Sequence, residues 1–466
     1  MAQDKAIARN ITSNSDPGAP GDEEINATLD RLFDFYPVCI DMGLARVERL
    51  LHALGDPHLN LPPVLHVAGT NGKGSTLAFL KAIMEAAGYR VHVFTSPHLV
   101  RYNERVVLAG QEIDNKTLHN ILIRCEQANA GEPITFFEIT TVASFLAFSE
   151  VPADVVLLET GMGGRLDATN VIPDPALTFI SAISYDHAQY LGPTLPQIAG
   201  EKAGIIKRSA PAIIGYQSRE AIESGVDILF EDKAKQEGTK AFFAGEHWSC
   251  KSDGHSMTFR GFDQMIELPL PGLAGPHQIH NAGLAIAGLC KLRHQDNKKW
   301  DLPDSALKKG VITAQWPARL QRLEDMERSF DLPAGTELWL DGGHNDSAGL
   351  ALAGQAEIWR KESKHRIHII LAMLNTKHPE DFISPLLPYI SSITCISVPD
   401  EKLSLSPEEL AGRIGDMDGA CPVHVDENWS QAVCKLAKTH PGDLILTCGS
   451  LYLAGRILAQ REASGS

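Results

Sequence analysis

Apolar and polar positions along the chain change their period several times, and each change marks an element. Between residues 25 and 54 apolar side chains recur at helical spacing, with Leu29, Leu32, Leu44, Val47 and Leu51 on one stripe. Residues 64–68 form a short apolar run of the length of a buried strand. A glycine-rich turn separates it from a helical pattern at 73–87, which Gly88 stops. Residues 91–95 read as the next strand. Strand, loop, helix and strand in that order make a βαβ unit, which implies a parallel sheet with a right-handed crossover. Further strands are expected at 154–159, 177–183 and 212–216, with helices at 138–150 and 195–207 between them. Alternating runs within 245–270, such as Ser256-Met257-Thr258-Phe259, predict a small antiparallel excursion.

A second α/β series begins near residue 320, with strands at 337–341, 367–372, 393–398 and 443–448 and a helix at 347–361. Proline interrupts the pattern at Trp316-Pro317-Ala318-Arg319. The expected organisation is a flexible tail at 1–24, a larger domain at 25–315, a hinge at 316–319 and a smaller domain at 320–466. Both domains are α/β, the first with a mostly parallel, doubly wound sheet and the second Rossmann-like.

Composition narrows the function. Of 466 residues 44% are apolar, enough for a sizeable core, and the formal net charge is −16. That charge argues against nucleic-acid and anionic-membrane partners, which need broad positive surface. An anionic substrate must then be met by local cations. The eight cysteines form no C-x-x-C pair and resemble no zinc site, so they read as reduced thiols of a cytoplasmic protein. No basic start followed by an apolar core suggests a signal peptide, and no apolar run reaches the roughly 18 residues of a membrane span.

The strongest local signal is Gly69-Thr70-Asn71-Gly72-Lys73-Gly74-Ser75-Thr76, between a strand and a helix. Glycines let successive amides turn inward toward phosphate oxygens, and the helix N-terminus adds a favourable dipole. Lys73 can bridge outer phosphates, and Ser75 or Thr76 can hold Mg²⁺. The spacing departs from the usual G-x-x-x-x-G-K-[ST], since the loop is shorter and Gly74 follows the lysine; on the lysine, the serine and the flanking strand and helix the first domain is expected to be P-loop NTPase-like. Glu159, in Leu158-Glu159-Thr160-Gly161-Met162-Gly163-Gly164-Arg165-Leu166-Asp167-Ala168-Thr169-Asn170, ends a strand where α/β sheets bind ligands. A carboxylate there suits a hard cation, although alone it is equally an ordinary strand-to-loop turn. Ser184-Tyr185-Asp186-His187 follows another strand; a lone histidine is more often structural, and it is not the favoured Mg²⁺ ligand. Lys202, in Glu201-Lys202-Ala203-Gly204-Ile205-Ile206, reads by itself as a solvated helix lysine. Asp341-Gly342-Gly343-His344-Asn345 ends a strand of the second domain, and Arg319 sits at the hinge as a cation suited to phosphate transfer.

The order of these motifs resembles the bifunctional dihydrofolate synthase/folylpolyglutamate synthase family, a branch of the Mur-ligase-like amide ligases. The pieces that carry it are Ile40-Asp41-Met42-Gly43-Leu44, Gly69–Ser75, Ser96-Pro97-His98-Leu99, Arg101-Tyr102-Asn103-Glu104-Arg105, Thr135-Phe136-Phe137-Glu138, the Glu159 and Ser184 segments, Glu201 to Ile206, Asn281, Arg319 and Asp341 to Asn345. They span nearly the whole chain. The resemblance implies ATP on Gly69, Thr70, Asn71, Gly72, Lys73, Gly74 and Ser75, with Asn281, Arg319 and Asp341. It implies metal ligands Ser75, Ser96, Glu159 and His187, two Mg²⁺, and a monovalent cation as a further ligand. Lys202 matches a lysine that is carbamylated in the family, and His344 an active-site histidine. With Lys73 and Arg319 these make the expected catalytic set. Ile40, Asp41, Met42, Thr135, Phe137, Asp167 and Ala168 match a pterin pocket. A monomer is expected. The chain departs from the family at Gly343 and Asp346, where alanine and proline are usual, and at Ala318, where glycine is.

The activity so implied is ATP-dependent addition of L-glutamate to dihydropteroate, tetrahydrofolates or both, through an acyl phosphate. Other readings stay open on the residues alone: a Mur-type ligase acting on a cell-wall nucleotide peptide, a P-loop switch or kinase, and a folate carrier without turnover.

Overall fold

The computed structural model describes residues 22–35, 43–208, 210–296, 298–362, 365–419 and 421–465. Among the described residues the chain divides into two compact units. One comprises the chain up to Gly272 with Gln278–Gln315; the other comprises Leu273–His277 with the chain from Trp316 onward.

The first unit is built on β1 (Val64–Ala68), β2 (Val91–Phe94), β3 (Val106–Leu108), β4 (Gln111–Glu112), β5 (Val155–Glu159), β6 (Leu177–Ile180), β7 (Ala212–Ile214) and β8 (Ala241–Phe243). They form one sheet in the order β4-β3-β2-β5-β1-β6-β7-β8. The pairings from β2 through β8 are parallel, and β3 and β4 add an antiparallel edge. Every residue of β1 and β5 is buried, because helices cover both faces of the sheet. That is why these strands read as unbroken apolar runs rather than alternating ones. His66 is the polar exception in β1. It lies 2.9 Å from Thr169 Oγ1, and burial pushes its pKa down to about 3, so it is a neutral core residue.

The helix Lys73–Ala86 follows β1, and the helix Phe136–Glu150 is buried nearly all round. The apolar stripe expected at 25–54 is carried by two helices, Asp22–Phe35 and Ala45–Ala53, which contribute Leu29, Leu32, Val47 and Leu51 to one core cluster. The expected helix at 195–207 stops at Ala203. Gly204 packs so tightly on Arg165 that a Cβ there would lie 2.3 Å from its Cα. β9 (Trp248–Ser252), β10 (Ser256–Gly261) and β11 (Gln264–Pro269) make the antiparallel excursion as a separate three-stranded sheet.

The second unit has a six-stranded sheet of β12 (Gln321–Arg322), β13 (Glu337–Leu340), β14 (Ile367–Leu371), β15 (Ser392–Cys395), β16 (Val423–Val425) and β17 (Leu444–Cys448). Its order is β12-β13-β17-β14-β15-β16, parallel except for β12. A core of its own lies beneath the helices Asp346–Glu362 and Pro407–Gly415, around Leu371, Phe382, Leu410 and Leu446.

Candidate active site

Four consecutive strands of the first sheet, in the order β2-β5-β1-β6, run parallel, so their carboxyl ends share one edge. Ser96, Glu159, the Gly69 loop and Ser184-Tyr185-Asp186-His187 follow those four ends in turn. The pleat and register thus bring together motifs up to 118 positions apart (187 − 69). The contacts are direct. The Ser96 amide donates to Glu159 Oε2 at 3.3 Å. Thr70 and Ser184 exchange bonds through Thr70 Oγ1, at 3.1 Å each way, and the Thr70 and Asn71 amides donate to Ala182 O.

The loop shape depends on glycine at two positions. Gly69 has φ +148°, and a Cβ would lie 1.9 Å from Ser181 Oγ. Gly72, at φ +90°, is the N-cap of the helix Lys73–Ala86, and a Cβ would lie 2.5 Å from Asn281 Oδ1. The same closeness puts Asn281 against the loop, where its Nδ2 donates to Gln278 Oε1. Ser75 is buried in the first turn of that helix.

Two lysines converge on one carbonyl. Lys73 Nζ donates to Gly69 O at 3.1 Å, and Lys202 Nζ donates to the same oxygen at 2.8 Å. Lys202 is only 5% exposed, far from the solvated lysine its sequence context suggests by itself. Burial, and after it the Lys73 charge, brings its pKa down to about 7, with Asp186 and Asp167 acting the other way. A substantial fraction of the amine is therefore in its neutral form near neutral pH.

Asp167 is buried beside them. Its Oδ2 accepts from the Met162 amide at 2.8 Å, and its Oδ1 from the Thr169 amide at 3.0 Å and hydroxyl at 2.6 Å. Burial raises its pKa, and these bonds pull it back. It shapes the loop after β5 whatever else it meets. Thr135 is similarly engaged: Thr135 Oγ1 accepts from the Glu138 amide and the Thr135 amide donates to Glu138, a capping box on the helix Phe136–Glu150. Phe137 lies on Gly161, where a Cβ would be 2.4 Å from its ring, and 6.3 Å from the Phe94 ring. Ala168 is buried in the same loop as Asp167. Thr135, Phe137 and the Asp167 loop thus lie around the end of β5, while Ile40, Asp41 and Met42 fall outside the described residues. His187 takes φ +53° and is half exposed, with Asp186 accepting from its amide.

The second unit carries its own cluster at the carboxyl end of β13. Asp341 is buried, accepting from the Gly343 amide at 2.7 Å and the Leu320 amide at 2.9 Å. Burial raises its pKa, and the adjacent Arg319 charge opposes that. Arg319 Nη1 donates to Ala318 O, and His344 Nδ1 lies 3.2 Å from Gly342 O. The departures from the family pattern fit locally. A Cβ on Gly343 would lie 2.8 Å from both Ala348 Cβ and Asp341 Oδ1, and glycine removes that crowding. Asp346 opens the helix Asp346–Glu362, a position as favourable for an acid, which faces the helix dipole, as for proline.

Two further residues matter that lie inside quoted motifs but were given no role there. Glu104 binds the amides of Leu99, Val100 and Arg101 at 2.7–2.8 Å and so holds the loop that carries Ser96. Its signal was its position three residues after Arg101, at the end of a polar run. Thr160 Oγ1, next to Glu159, is a buried hydroxyl without a hydrogen-bond partner in the protein. No sequence pattern marks it.

Residues 67–289 match the Mur ligase middle domain, and residues 329–460 match the C-terminal domain of dihydrofolate synthetase. The chain is 31% identical over 435 residues to a dihydrofolate synthase/folylpolyglutamate synthase of Bacillus subtilis, covering 89% of this chain and 94% of that one. It is similar in structure to Escherichia coli FolC in complex with DHPP and ADP, with a TM-score of 0.83 and 28% identity over 96% of this chain and 100% of that one. It is also similar to a Yersinia pestis folylpolyglutamate synthase/dihydrofolate synthase complexed with AMPPNP and Mn ion, with a TM-score of 0.82 and 26% identity over 96% and 100% of the two chains.

Proposed function

The chain belongs to the dihydrofolate synthase/folylpolyglutamate synthase family of ATP-dependent ligases, and on that premise we propose that it joins L-glutamate to dihydropteroate, to tetrahydrofolates, or to both. The observation that supports this most is the convergence of four motif-bearing strand ends around the Gly69 loop. A carboxylate does not react with an amine unaided, because an oxide would have to leave. Transfer of the γ-phosphate of ATP onto the acceptor carboxylate gives ADP and an acyl phosphate. The glutamate amine then attacks that carbonyl, and phosphate leaves from the tetrahedral intermediate. In this reading the loop amides and Lys73 hold the nucleotide phosphates, while Arg319 and His344 serve the transferring group.

The residues fit a hard divalent cation. Glu159 supplies a buried carboxylate, Ser75 and Ser96 supply hydroxyls, and the unpartnered Thr160 Oγ1 lies next along the chain. We assign Ser75 to a nucleotide-bound Mg²⁺ and Ser96, Glu159 and His187 to a second. When bound, the metal neutralises phosphate charge. Lys202 is assigned as carbamylated. Its neutral amine would add CO₂ to give a carbamate and a proton, exchanging a cation for an anion beside the metal ligands. The depressed pKa supports that step. A labelled carbamate signal in ¹³C-bicarbonate is expected from the native chain and not from Lys202→Ala. For the pterin, Phe137 offers a ring face and Asp167 an acceptor. Asp167→Asn is expected to weaken dihydropteroate use far more than nucleotide binding; equal losses would remove Asp167 from the pterin site. Reduced and free thiols at all seven described cysteines accord with a cytoplasmic setting.

The direct test of the site is Glu159→Gln, which keeps shape and removes charge. Ligation should fall by about two orders of magnitude or more and require more Mg²⁺. An unchanged magnesium dependence would exclude Glu159 as a ligand.

A further inference from the structure

At the opposite, amino edge of the second sheet, three metal-competent side chains meet outside every motif used above. His368 is the second residue of β14 and is almost wholly buried. His440 and Asp443 are the two ends of the turn His440-Pro441-Gly442-Asp443, which enters β17. The Asp443 amide donates to His440 O at 3.3 Å, and Gly442 takes φ +84°. Proline followed by a positive-φ glycine is the signature of a type II turn, which holds its first and fourth residues close together. The Gly442 amide is fixed further by Thr336 Oγ1 at 2.9 Å. The ring of His440 stacks on that of His368 at 4.2 Å.

One ligand atom from each of His368, His440 and Asp443 lies within 4.8 Å of the others. His368 Nε2 and Asp443 Oδ2 are 3.2 Å apart. A tetrahedral zinc ion with bonds near 2.0–2.1 Å has ligand–ligand edges of about 3.3 Å, so this edge already has the required length. His440 is partly exposed, and a ring nitrogen of it already lies within 4.8 Å of the other two ligand atoms. His368 Nδ1 lies 2.7 Å from the buried Ser392 Oγ, the kind of outer bond that orients a ligating imidazole. Asp443 Oδ1 accepts from the Arg366 amide, leaving Oδ2 directed at His368.

We propose that His368, His440 and Asp443 form a binding site for a zinc-like transition-metal ion, which ties β14 to the turn before β17. Two imidazoles and a carboxylate favour zinc or cobalt over the hard magnesium ion. Three protein ligands leave a fourth position for water. Asp341 and His344 follow the other end of these parallel strands, so the site lies apart from the nucleotide chemistry and its role is to stabilise the unit.

The test uses the full chain without an affinity tag, saturated with Mg²⁺ and nucleotide so that the ligase site is filled. Co²⁺ and Zn²⁺ are the probes. The native chain should bind one Co²⁺ with the intense visible absorption of a tetrahedral site, and Zn²⁺ should displace it and raise the melting temperature. His440→Gln changes a partly exposed side chain and should fold. It should bind Co²⁺ at least tenfold more weakly, lose the thermal shift and keep its ligase turnover. Asp443→Asn should behave likewise. Equal metal uptake by native and His440→Gln chains would overturn the proposal, as would no uptake by the native chain, leaving a histidine–aspartate hydrogen bond only.

Discussion

Lys73 and Lys202 share one acceptor, Gly69 O, and that closeness sets the behaviour of both. Lys73→Ala should cut ligation by roughly a hundredfold or more, since a developing phosphate charge loses its nearest cation. Its fold should persist, because the ammonium touches only loop carbonyls. Steady-state turnover beside circular dichroism checks both halves; near-native turnover in a folded variant would contradict the assignment. Lys202 also makes stability depend on pH. Its folded pKa of about 7 lies below the unfolded value, so between the two the unfolded chain binds the extra proton. Stability should rise with pH from about 7 toward the ordinary lysine range, with a slope approaching about 1.4 kcal/mol per pH unit from this group. Urea unfolding in CO₂-free buffer should show that rise, and Lys202→Met should flatten it. Ala318 poses a different residue question, for it is buried at φ +54°. The left-handed backbone costs about 1–2 kcal/mol. Glycine would remove that, yet would add roughly 0.5–1 kcal/mol of chain entropy and forfeit about 0.8 kcal/mol of methyl burial. The terms nearly cancel, which explains why alanine is tolerated where the family has glycine. Ala318→Gly should therefore leave the melting temperature almost unchanged. Ala318→Val, branched at a positive φ, should lower it markedly and reduce nucleotide use through the neighbouring Arg319.

Among the elements, the Ser96 loop shows how a fold would position a proposed metal ligand indirectly. Glu104 gathers three amides onto one carboxylate, and charge-assisted bonds of this kind contribute roughly 1.5–3 kcal/mol each. Glu104→Gln keeps the shape but offers only a neutral amide oxygen. It should raise the Mg²⁺ concentration needed for half-maximal ligation severalfold with nucleotide affinity held, because Ser96 and not the Gly69 loop is displaced. Magnesium titration of turnover decides it; a parallel loss of nucleotide affinity would point to general unfolding. The sequence carried much of this scale. The buried parallel strands were legible because both faces are covered, so β1 and β5 read as apolar runs followed by glycine or acid. β3, β4, β8, β12 and β16 escaped, each only two or three residues long and too short to display a period on its own. Thr135-Phe136-Phe137-Glu138 was legible twice over. Its family signature pointed to the pterin pocket, while its S/T-x-x-E spacing is also the capping box that the structure contains. Contacts such as Lys202 on Gly69 O depend on chain segments 133 positions apart and leave no trace in local pattern.

For the whole molecule, the net charge of −16 offers no long-range attraction to substrates that are themselves anions. Binding must therefore rest on the few cations gathered at strand ends, Lys73 in one unit and Arg319 in the other. Such a design serves a ligase, which must hold several anionic partners but release anionic products. Two sheets, each with its charged motifs at a carboxyl edge, also follow the general rule for ligand sites in α/β folds. The central claim is that this edge chemistry joins glutamate to a folate-type acid at the expense of ATP. Mass analysis of products after incubation with ATP, Mg²⁺, L-glutamate and either dihydropteroate or tetrahydrofolate tests it most directly. The account predicts an acceptor heavier by one or more glutamyl residues, with one ADP formed for each bond. ATP hydrolysis that ignores glutamate and leaves both acceptors unchanged would contradict it.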